Sequence, residues 1–376
     1  MPVRSSQNSP AKLKGASTEN PENRAISLLI VPLKEILESK SIREVRDKTE
    51  QLRDAIASAR IGKNGRNNST KIESVTTSDL EYVSDGLVKI EESLTMERAK
   101  YYAKGLLKSL TEPKTNGIND INLNRWKEYK EIETDSLWLF KKRDRSGSHL
   151  GWYWGNFVPQ IPHQLILRYT KKGEWVLDPF AGSGTTLIEA QMLERNALGV
   201  EINPLTVAKA REQISEVKGQ HGTRTILKCG DSSRLNFRSL LDQNGIDSVQ
   251  LLILHPPYSD IIKFSNESND LSNLSDPTEF VDALSNVVGN AAKVLEDGRY
   301  MALVIGDKYE EGKWIPLGFL SMQEIMKMGF ILRSIIVKNF DQTRGKRNQG
   351  ELWRYRALKD GYYLFKHEYI FIFQRT

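Results

Sequence analysis

The stretch Val176-Leu177-Asp178-Pro179-Phe180-Ala181-Gly182-Ser183-Gly184-Thr185-Thr186 constrains this chain more than any other, because it runs from an apolar segment through an acid and a Gly-rich turn into a helical pattern. Glu174 to Phe180 is short, apolar and bounded by Gly, which predicts a buried parallel strand. Thr185 or Thr186 can cap a helix that continues through Leu193. Gly182 and Gly184 let the backbone turn tightly and let a ligand approach the free N–H groups of the helix start. The next strand, Ala197 to Asn203, carries Glu201 about 20 residues beyond the glycines, where an acid can receive ribose hydroxyls. The loop contains no Lys and so is not a triphosphate-gripping loop. It suits a ligand with a ribose and a zwitterionic tail. A tight turn without a ligand is the competing reading.

From there the alternation is regular. Helix Pro204 to Lys218 leads to strand Thr225 to Gly230, which ends at Asp231-Ser232, and strand Val249 to Leu254 ends at His255-Pro256-Pro257-Tyr258. Helix Thr278 to Leu295 precedes strand Tyr300 to Ile305, helix Leu317 to Met328 precedes strand Phe330 to Val337, and His367 to Gln374 closes the series. Strands and helices in alternation predict an α/β fold: a doubly wound, mostly parallel sheet, here of seven strands, with ligands beyond the carboxyl ends of the strands. Asp178, Glu201 and Asp231 stand at three successive strand ends.

Asp-Pro-Phe-Ala-Gly-Ser-Gly-Thr-Thr, then Gly-Val-Glu-Ile-Asn-Pro, then Leu-Ile-Leu-His-Pro-Pro-Tyr resembles the AdoMet-dependent DNA amino-methyltransferases, which modify adenine N6 or cytosine N4. The likeness spans roughly residues 152 to 376. It implies the class I methyltransferase fold, with the last strand antiparallel and inserted between two others. It implies S-adenosyl-L-methionine as cofactor, held by Asp178, Phe180, Gly182, Gly184, Thr185, Glu201, Ile202, Asp231 and Ser232. Asn156 and Phe157 fall in Gly155 to Pro162, which resembles the segment that closes over the AdoMet methionine in that family. His255, Pro256, Pro257 and Tyr258 match the motif that holds the target amine. Cys229 is not preceded by Pro, which argues against cytosine C5 methylation through a Cys nucleophile.

The chemistry of the second motif can be argued from bonds. An exocyclic amine is a poor nucleophile because its lone pair is delocalised into the ring. Acceptors around its N–H groups can expose that lone pair. Pro256 and Pro257 fix φ and present a carbonyl in a stiff loop without N–H donors of its own. Tyr258 can stack on an extruded base, since a base inside the duplex is out of reach. His255 stands where relatives most often carry Asp, Asn or Ser. A neutral imidazole can accept one N–H bond, so the acceptor role survives while the choice of base stays open, with cytosine N4 slightly favoured. A buried structural His at a strand end is the alternative.

The charge distribution points to a polyanion. Of the formal +6, the last 46 residues carry the whole excess, 10 Lys and Arg against 4 Asp and Glu. Lys338, Arg344, Lys346 and Arg347 in the basic insertion 338–366, with Lys263 in the loop after the Pro-Pro motif, are the candidate phosphate contacts. Double-stranded DNA is the expected partner, with a cognate restriction endonuclease as a candidate second one. The stretch Ser259 to Ser275 reads as a mobile loop over the site. A solvated basic surface is the bland alternative.

The N-terminal part carries no catalytic motif. Residues 1–24 read as a disordered tail, 25–120 as a helical region and 121–376 as the methyltransferase domain. Leu29, Leu33, Ile36, Val45, Leu52 and Ile56 fall at helical spacings, with Pro32 in a first turn. Ile61 to Ser78 reads as a loop, and Ser78 with Glu81 suggests a capping box for one helix through Leu110. Trp126, Tyr129, Trp138, Phe140, Trp152, Tyr153 and Trp154 read mostly as core. One cysteine excludes a disulfide framework and a Cys-based metal site, and it fits a reducing, cytoplasmic setting; no apolar run is long enough to span a membrane. Two competing functions remain: an RNA guanine-N2 methyltransferase, and a DNA-binding protein with a degenerate methyltransferase core.

Overall fold

The computed structural model describes residues 21–62, 77–146, 149, 151–217, 222–340 and 350–376. The described residues divide into two compact units, those up to residue 114 with 122–128, and residues 115–121 with those from 129 onward. The expected tail lies outside the described residues up to residue 20, and the expected loop does so over 63–76.

The first unit holds α1 (Pro21–Glu38), α2 (Ile42–Gly62), α3 (Thr77–Glu91) and α4 (Met96–Thr111). Leu29, Leu33 and Ile36 on α1 recur every three or four residues, as do Leu80, Val83, Leu87 and Ile90 on α3. Each helix therefore turns one apolar stripe into a shared core with Val45, Leu52 and Ile56 on α2 and Ala99, Ala103 and Leu106 on α4. Three sequence expectations change. Pro21 to Arg24 are already helical, and Pro32 stands inside α1 instead of in its first turn. An interior proline costs about 3 kcal/mol, whereas each fully buried Leu or Ile beside it contributes about 1.5–3 kcal/mol, so the stripe outweighs the break. The single helix expected from Ser78 to Leu110 is two, because the chain breaks before Thr95, whose side chain accepts from the Arg98 N–H at 3.3 Å and starts α4 afresh.

The second unit contains β1 (Leu137–Trp138), α5 (Gln160–Tyr169), β2 (Trp175–Asp178), α6 (Thr185–Met192), β3 (Asn196–Glu201), α7 (Pro204–Ser215), β4 (Thr225–Cys229), α8 (Phe237–Gln243), β5 (Val249–Leu254), α9 (Pro277–Ala292) and β6 (Leu295–Ile305). The short hairpin β7 (Lys308–Glu310) and β8 (Lys313–Ile315) follows, then α10 (Leu317–Lys327), β9 (Ile331–Asn339), α11 (Gly350–Asp360) and β10 (His367–Gln374). The main sheet runs β1-β9-β10-β6-β5-β2-β3-β4. The seven expected strands are all in it, and two-residue β1 adds an eighth at the edge, parallel to β9. Neighbours are parallel except at β10, which runs antiparallel between β6 and β9, as the methyltransferase resemblance implied. The sequence did not reveal α8, α11, β1 or the β7–β8 hairpin.

Alternation along the strands divides their side chains between two faces. Leu252, Leu254, Met301, Leu303, Phe371 and Phe373 meet α8, α9 and α10; Leu251, Ile253, Ala302, Val304, Ile370 and Ile372 meet α5, α6 and α7. Both faces are covered, which is why these strands read as unbroken apolar runs. The carboxyl ends of β2, β3, β4 and β5 are thereby left to carry polar groups. No helix among the described residues is long and apolar enough to cross a membrane.

Candidate functional site

A cavity of about 1140 Å³ opens beyond those strand ends. It exceeds the roughly 300–1,000 Å³ usual for one small ligand.

The glycine loop forms one wall. Gly182 and Gly184 adopt φ of 50° and 82°, the left-handed region that glycine enters without penalty, and Gly184 caps α6. The Gly182 N–H donates to Glu201 Oε2 at 3.0 Å and the Asn203 N–H to Oε1 at 2.9 Å, so the end of β3 is tied to the loop. Glu201 is buried, and that burial pushes its carboxyl up to about 7 despite those two donors. Asp231, at the end of β4, splits its oxygens. Oδ1 accepts from the Ser233 N–H at 2.8 Å and the Ser233 hydroxyl at 2.7 Å. Oδ2 is buried with no hydrogen-bond donor among the described residues, and Arg234 Nε lies 3.7 Å away.

Phe180, Ile202, Ser232, Asn156 and Phe157 also line the cavity. Asn156 reaches it from the segment before α5, where its Nδ2 donates to Ser183 Oγ and its Oδ1 accepts from Thr185 Oγ, both at 2.7 Å. Thr185 therefore acts behind the wall, and two further expectations shift in the same sense. Asp178 is buried, does not line the cavity, and accepts the Phe180 N–H at 2.9 Å; burial lifts its carboxyl to about 6. A Cβ on Gly184 would meet Ile214 of α7 at 2.9 Å, so the missing side chain makes room for that helix, and Gly184 does not line the cavity. Both residues shape the loop from behind.

The aromatic stretch expected as core is divided. Trp138 is buried, but Trp126 and Trp154 are more than half exposed. Tyr153 stacks on Phe264 with ring centroids 5.4 Å apart, and a Cβ on Gly182 would approach the Tyr153 ring to 3.0 Å. Trp152 holds this strap to α7 through Gln213, 2.6 Å from its indole N–H, and Arg143 donates to the Phe157 carbonyl at 2.7 Å. Phe264 belongs to the stretch expected as a mobile loop, which here folds on itself through Ser265 Oγ donating to Asp270 Oδ2 at 2.6 Å.

His255, Pro256, Pro257 and Tyr258 line the same cavity at the end of β5. His255 lies against Phe157, rings 18° from parallel and 4.6 Å apart, and burial draws its pKa down to about 4. Its Nε2 is 3.1 Å from the Tyr258 hydroxyl, which donates to Glu368 Oε2 at 2.8 Å. Burial, and then the Glu368 charge, hold the phenol well above its usual range. Lys338 lies 3.0 Å from Glu368 Oε1 with both side chains buried. This corrects Lys338 as a surface phosphate contact: register sets it opposite Glu368, and the ammonium is used inside. Lys263 is exposed and outside the cavity. Arg344, Lys346 and Arg347 lie outside the described residues.

Sequence reasoning missed Glu368 altogether. A lone carboxylate in the apolar strand His367 to Gln374 was the available signal, since a buried charge needs a partner. It also missed Glu189, whose Oε1 and Oε2 are 2.5 Å from His149 Nε2 and 2.9 Å from His163 Nδ1.

Residues 60–212 match the family described as DNA methylase, and residues 165–291 match the RMKL-like methyltransferase domain. Over these residues the chain is similar to the DNA methylases. Type II methyltransferase M.MjaII of Methanocaldococcus jannaschii is 27% identical over 101 residues, 27% of this chain and 19% of that protein. Type II methyltransferase M.Cfr9I of Citrobacter freundii is 35% identical over 69 residues, 18% and 22% of the two chains. Type II methyltransferase M.SmaI of Serratia marcescens is 31% identical over 98 residues, 24% and 32%. The matches to the first two of these methylases span only about a fifth of the relatives' length. The DNA methylase match takes in the glycine loop and Glu201, and the second match reaches past Tyr258.

Proposed function

We propose that this chain transfers the methyl group of S-adenosyl-L-methionine to an exocyclic amino group of a DNA base held outside the duplex, cytosine N4 slightly ahead of adenine N6. The observation that carries it is one cavity lined both by Glu201, Asp231 and the glycine loop and by His255 to Tyr258. Its volume leaves room for a cofactor and a base side by side.

The residues fit the cofactor. The unused acceptor Asp231 Oδ2 suits an adenine amino group, Glu201 suits ribose hydroxyls, and Asn156, Phe157 and Gly182 border the place for a methionine tail. When bound, the sulfonium supplies an electrophilic methyl group. The protein supplies position. Pro256 offers a carbonyl and His255 an imidazole that is neutral at pH 7, two acceptors for the N–H groups of a conjugated amine, while the Tyr258 ring offers a stacking surface. Lys263 and the described cations of α11 are proposed to hold phosphates. The DNA methylase match supports DNA as substrate, and a partner endonuclease would follow from that same kinship.

The test is incubation of labelled AdoMet with unmethylated genomic DNA and with total RNA, followed by digestion to nucleosides, for the wild type and His255→Ala. Label in N4-methylcytosine or N6-methyladenine, lost in the variant, is expected. Label confined to RNA would favour the RNA enzyme. Label in neither pool would leave a binding protein.

A further inference from the structure

We infer that Glu368 is a positioning residue that sets the tautomer of His255, so that the imidazole turns a bare Nδ1 lone pair towards the amine of the incoming base. The amine comes from the function proposed above; the tautomer does not.

The chain of hydrogen bonds has one consistent direction. Glu368 and Lys338 are register partners on β10 and β9, and the Lys338 ammonium, which can only donate, is 3.0 Å from Oε1. Paired in this way, Glu368 is a carboxylate that can only accept. The Tyr258 hydroxyl is 2.8 Å from Oε2 and has a single proton, which must therefore point at Glu368. His255 Nε2 is 3.1 Å from that same hydroxyl oxygen. With the phenol proton already committed, the hydrogen in this contact can come only from Nε2. A neutral imidazole has one N–H, so Nδ1 is left as an acceptor. Burial keeps the ring neutral, and the Phe157 stack fixes its plane.

No described residue is hydrogen-bonded to Nδ1, and His255 faces the cavity. The opposite tautomer would aim an N–H at an amine that itself offers only N–H groups. The departure from an acidic or amide residue at position 255 is thus compensated 113 residues away in sequence, on β10.

The experiment uses the full chain labelled with 15N-histidine and long-range proton–nitrogen correlation spectra, without DNA or cofactor. The chain has five histidines, and the His255 signals are assigned by their loss in His255→Ala. The wild type should show His255 with its proton on Nε2. In Glu368→Gln, Lys338 holds the amide oxygen, the amide N–H group faces Tyr258, and the phenol proton turns to Nε2. The tautomer should invert to Nδ1–H. AdoMet affinity should stay unchanged while kcat falls roughly a hundredfold, the scale of losing one well-placed polar contact in the transition state.

Tyr258→Phe is the second variant. It leaves Nε2 without a partner and should give a mixture of tautomers. A wild type protonated on Nδ1, or a Glu368→Gln chain still protonated on Nε2, overturns the inference, as does a single unshifted Nε2–H form in Tyr258→Phe. Absence of methyl transfer in the wild type would instead overturn the proposed function, and the tautomer would still be read.

Discussion

Replacing Asp231 by Asn separates the two tasks of that side chain. Oδ1 accepts the Ser233 N–H at 2.8 Å, and Asn can keep this bond only by placing its oxygen there. Its NH2 group must then take the place of Oδ2, the buried acceptor with no donor among the described residues. The loop after β4 should stay folded. What changes is the sign of one contact, since an adenine amino group would meet a donor. A hydrogen bond to a charged acceptor contributes about 1.5–3 kcal/mol net, which at 1.36 kcal/mol per factor of ten is about 10- to 150-fold in affinity. Titration calorimetry with S-adenosylhomocysteine should show a loss of that size. S-inosylhomocysteine, which carries an oxygen in place of the amino group, gives the sharper readout. The wild type should prefer the adenosyl compound and Asp231→Asn should reverse or erase the preference. An unchanged ratio of the two affinities would refute the assignment of Oδ2 to the purine edge.

Gly182→Val places a β-branched residue at φ 50°, a strain of about 1–2 kcal/mol, with its Cβ about 3.0 Å from the Tyr153 ring that Phe264 backs. AdoMet binding should become undetectable by calorimetry, and an affinity within twofold of wild type would remove the loop from the site. Glu201 has its carboxyl raised by burial from 4.5 to about 7, so between these values the folded chain keeps a proton that the unfolded chain has released. Its contribution to stability therefore falls as pH rises through that window, by about 3 kcal/mol. Urea midpoints of Glu201→Gln should lack this part of the slope, and superimposable pH profiles would show that the group is not desolvated. Arg354 and Lys359 are exposed on α11; replacing both by Ala should lower the salt dependence of DNA binding by about 0.9 for each phosphate no longer neutralised. An unaltered slope would return α11 to ordinary surface.

The fold was legible because its signal is local. Apolar runs of strand length alternate with helical spacings from Glu174 to Gln374, and that alternation restricts the topology. The site was legible in part, where each motif follows a strand end: Glu201, Asp231 and His255 all fall where ligands gather. What could not be read was anything that depends on pairing across the sheet. Lys338 looks like one more cation of a basic stretch until β10 brings Glu368 opposite it. Asp178 and Gly184 sit within the motif, but the direction of each side chain, or of the missing Cβ, belongs to the three-dimensional turn. The helix α8 was a missed local signal, since Phe237, Leu240 and Leu241 have helical spacing. Helix α11 has no clear apolar stripe, and its Leu352, Tyr355 and Leu358 are exposed, so periodicity had nothing to report.

The position of β10 has a consequence for how the chain is made. Synthesis delivers β6 and β9 before the strand that lies between them, so each waits with one unpaired edge, Met301 to Ile305 on one and Ile335 to Val337 on the other. Unpaired apolar edges are templates for association between chains, and closing them requires pairing across many residues, which is slow. The half-made protein is therefore most exposed to its neighbours between the synthesis of β9 and that of β10. Yield in a crowded cell should then depend less on the strength of the finished core than on how quickly residues 367–374 find their gap.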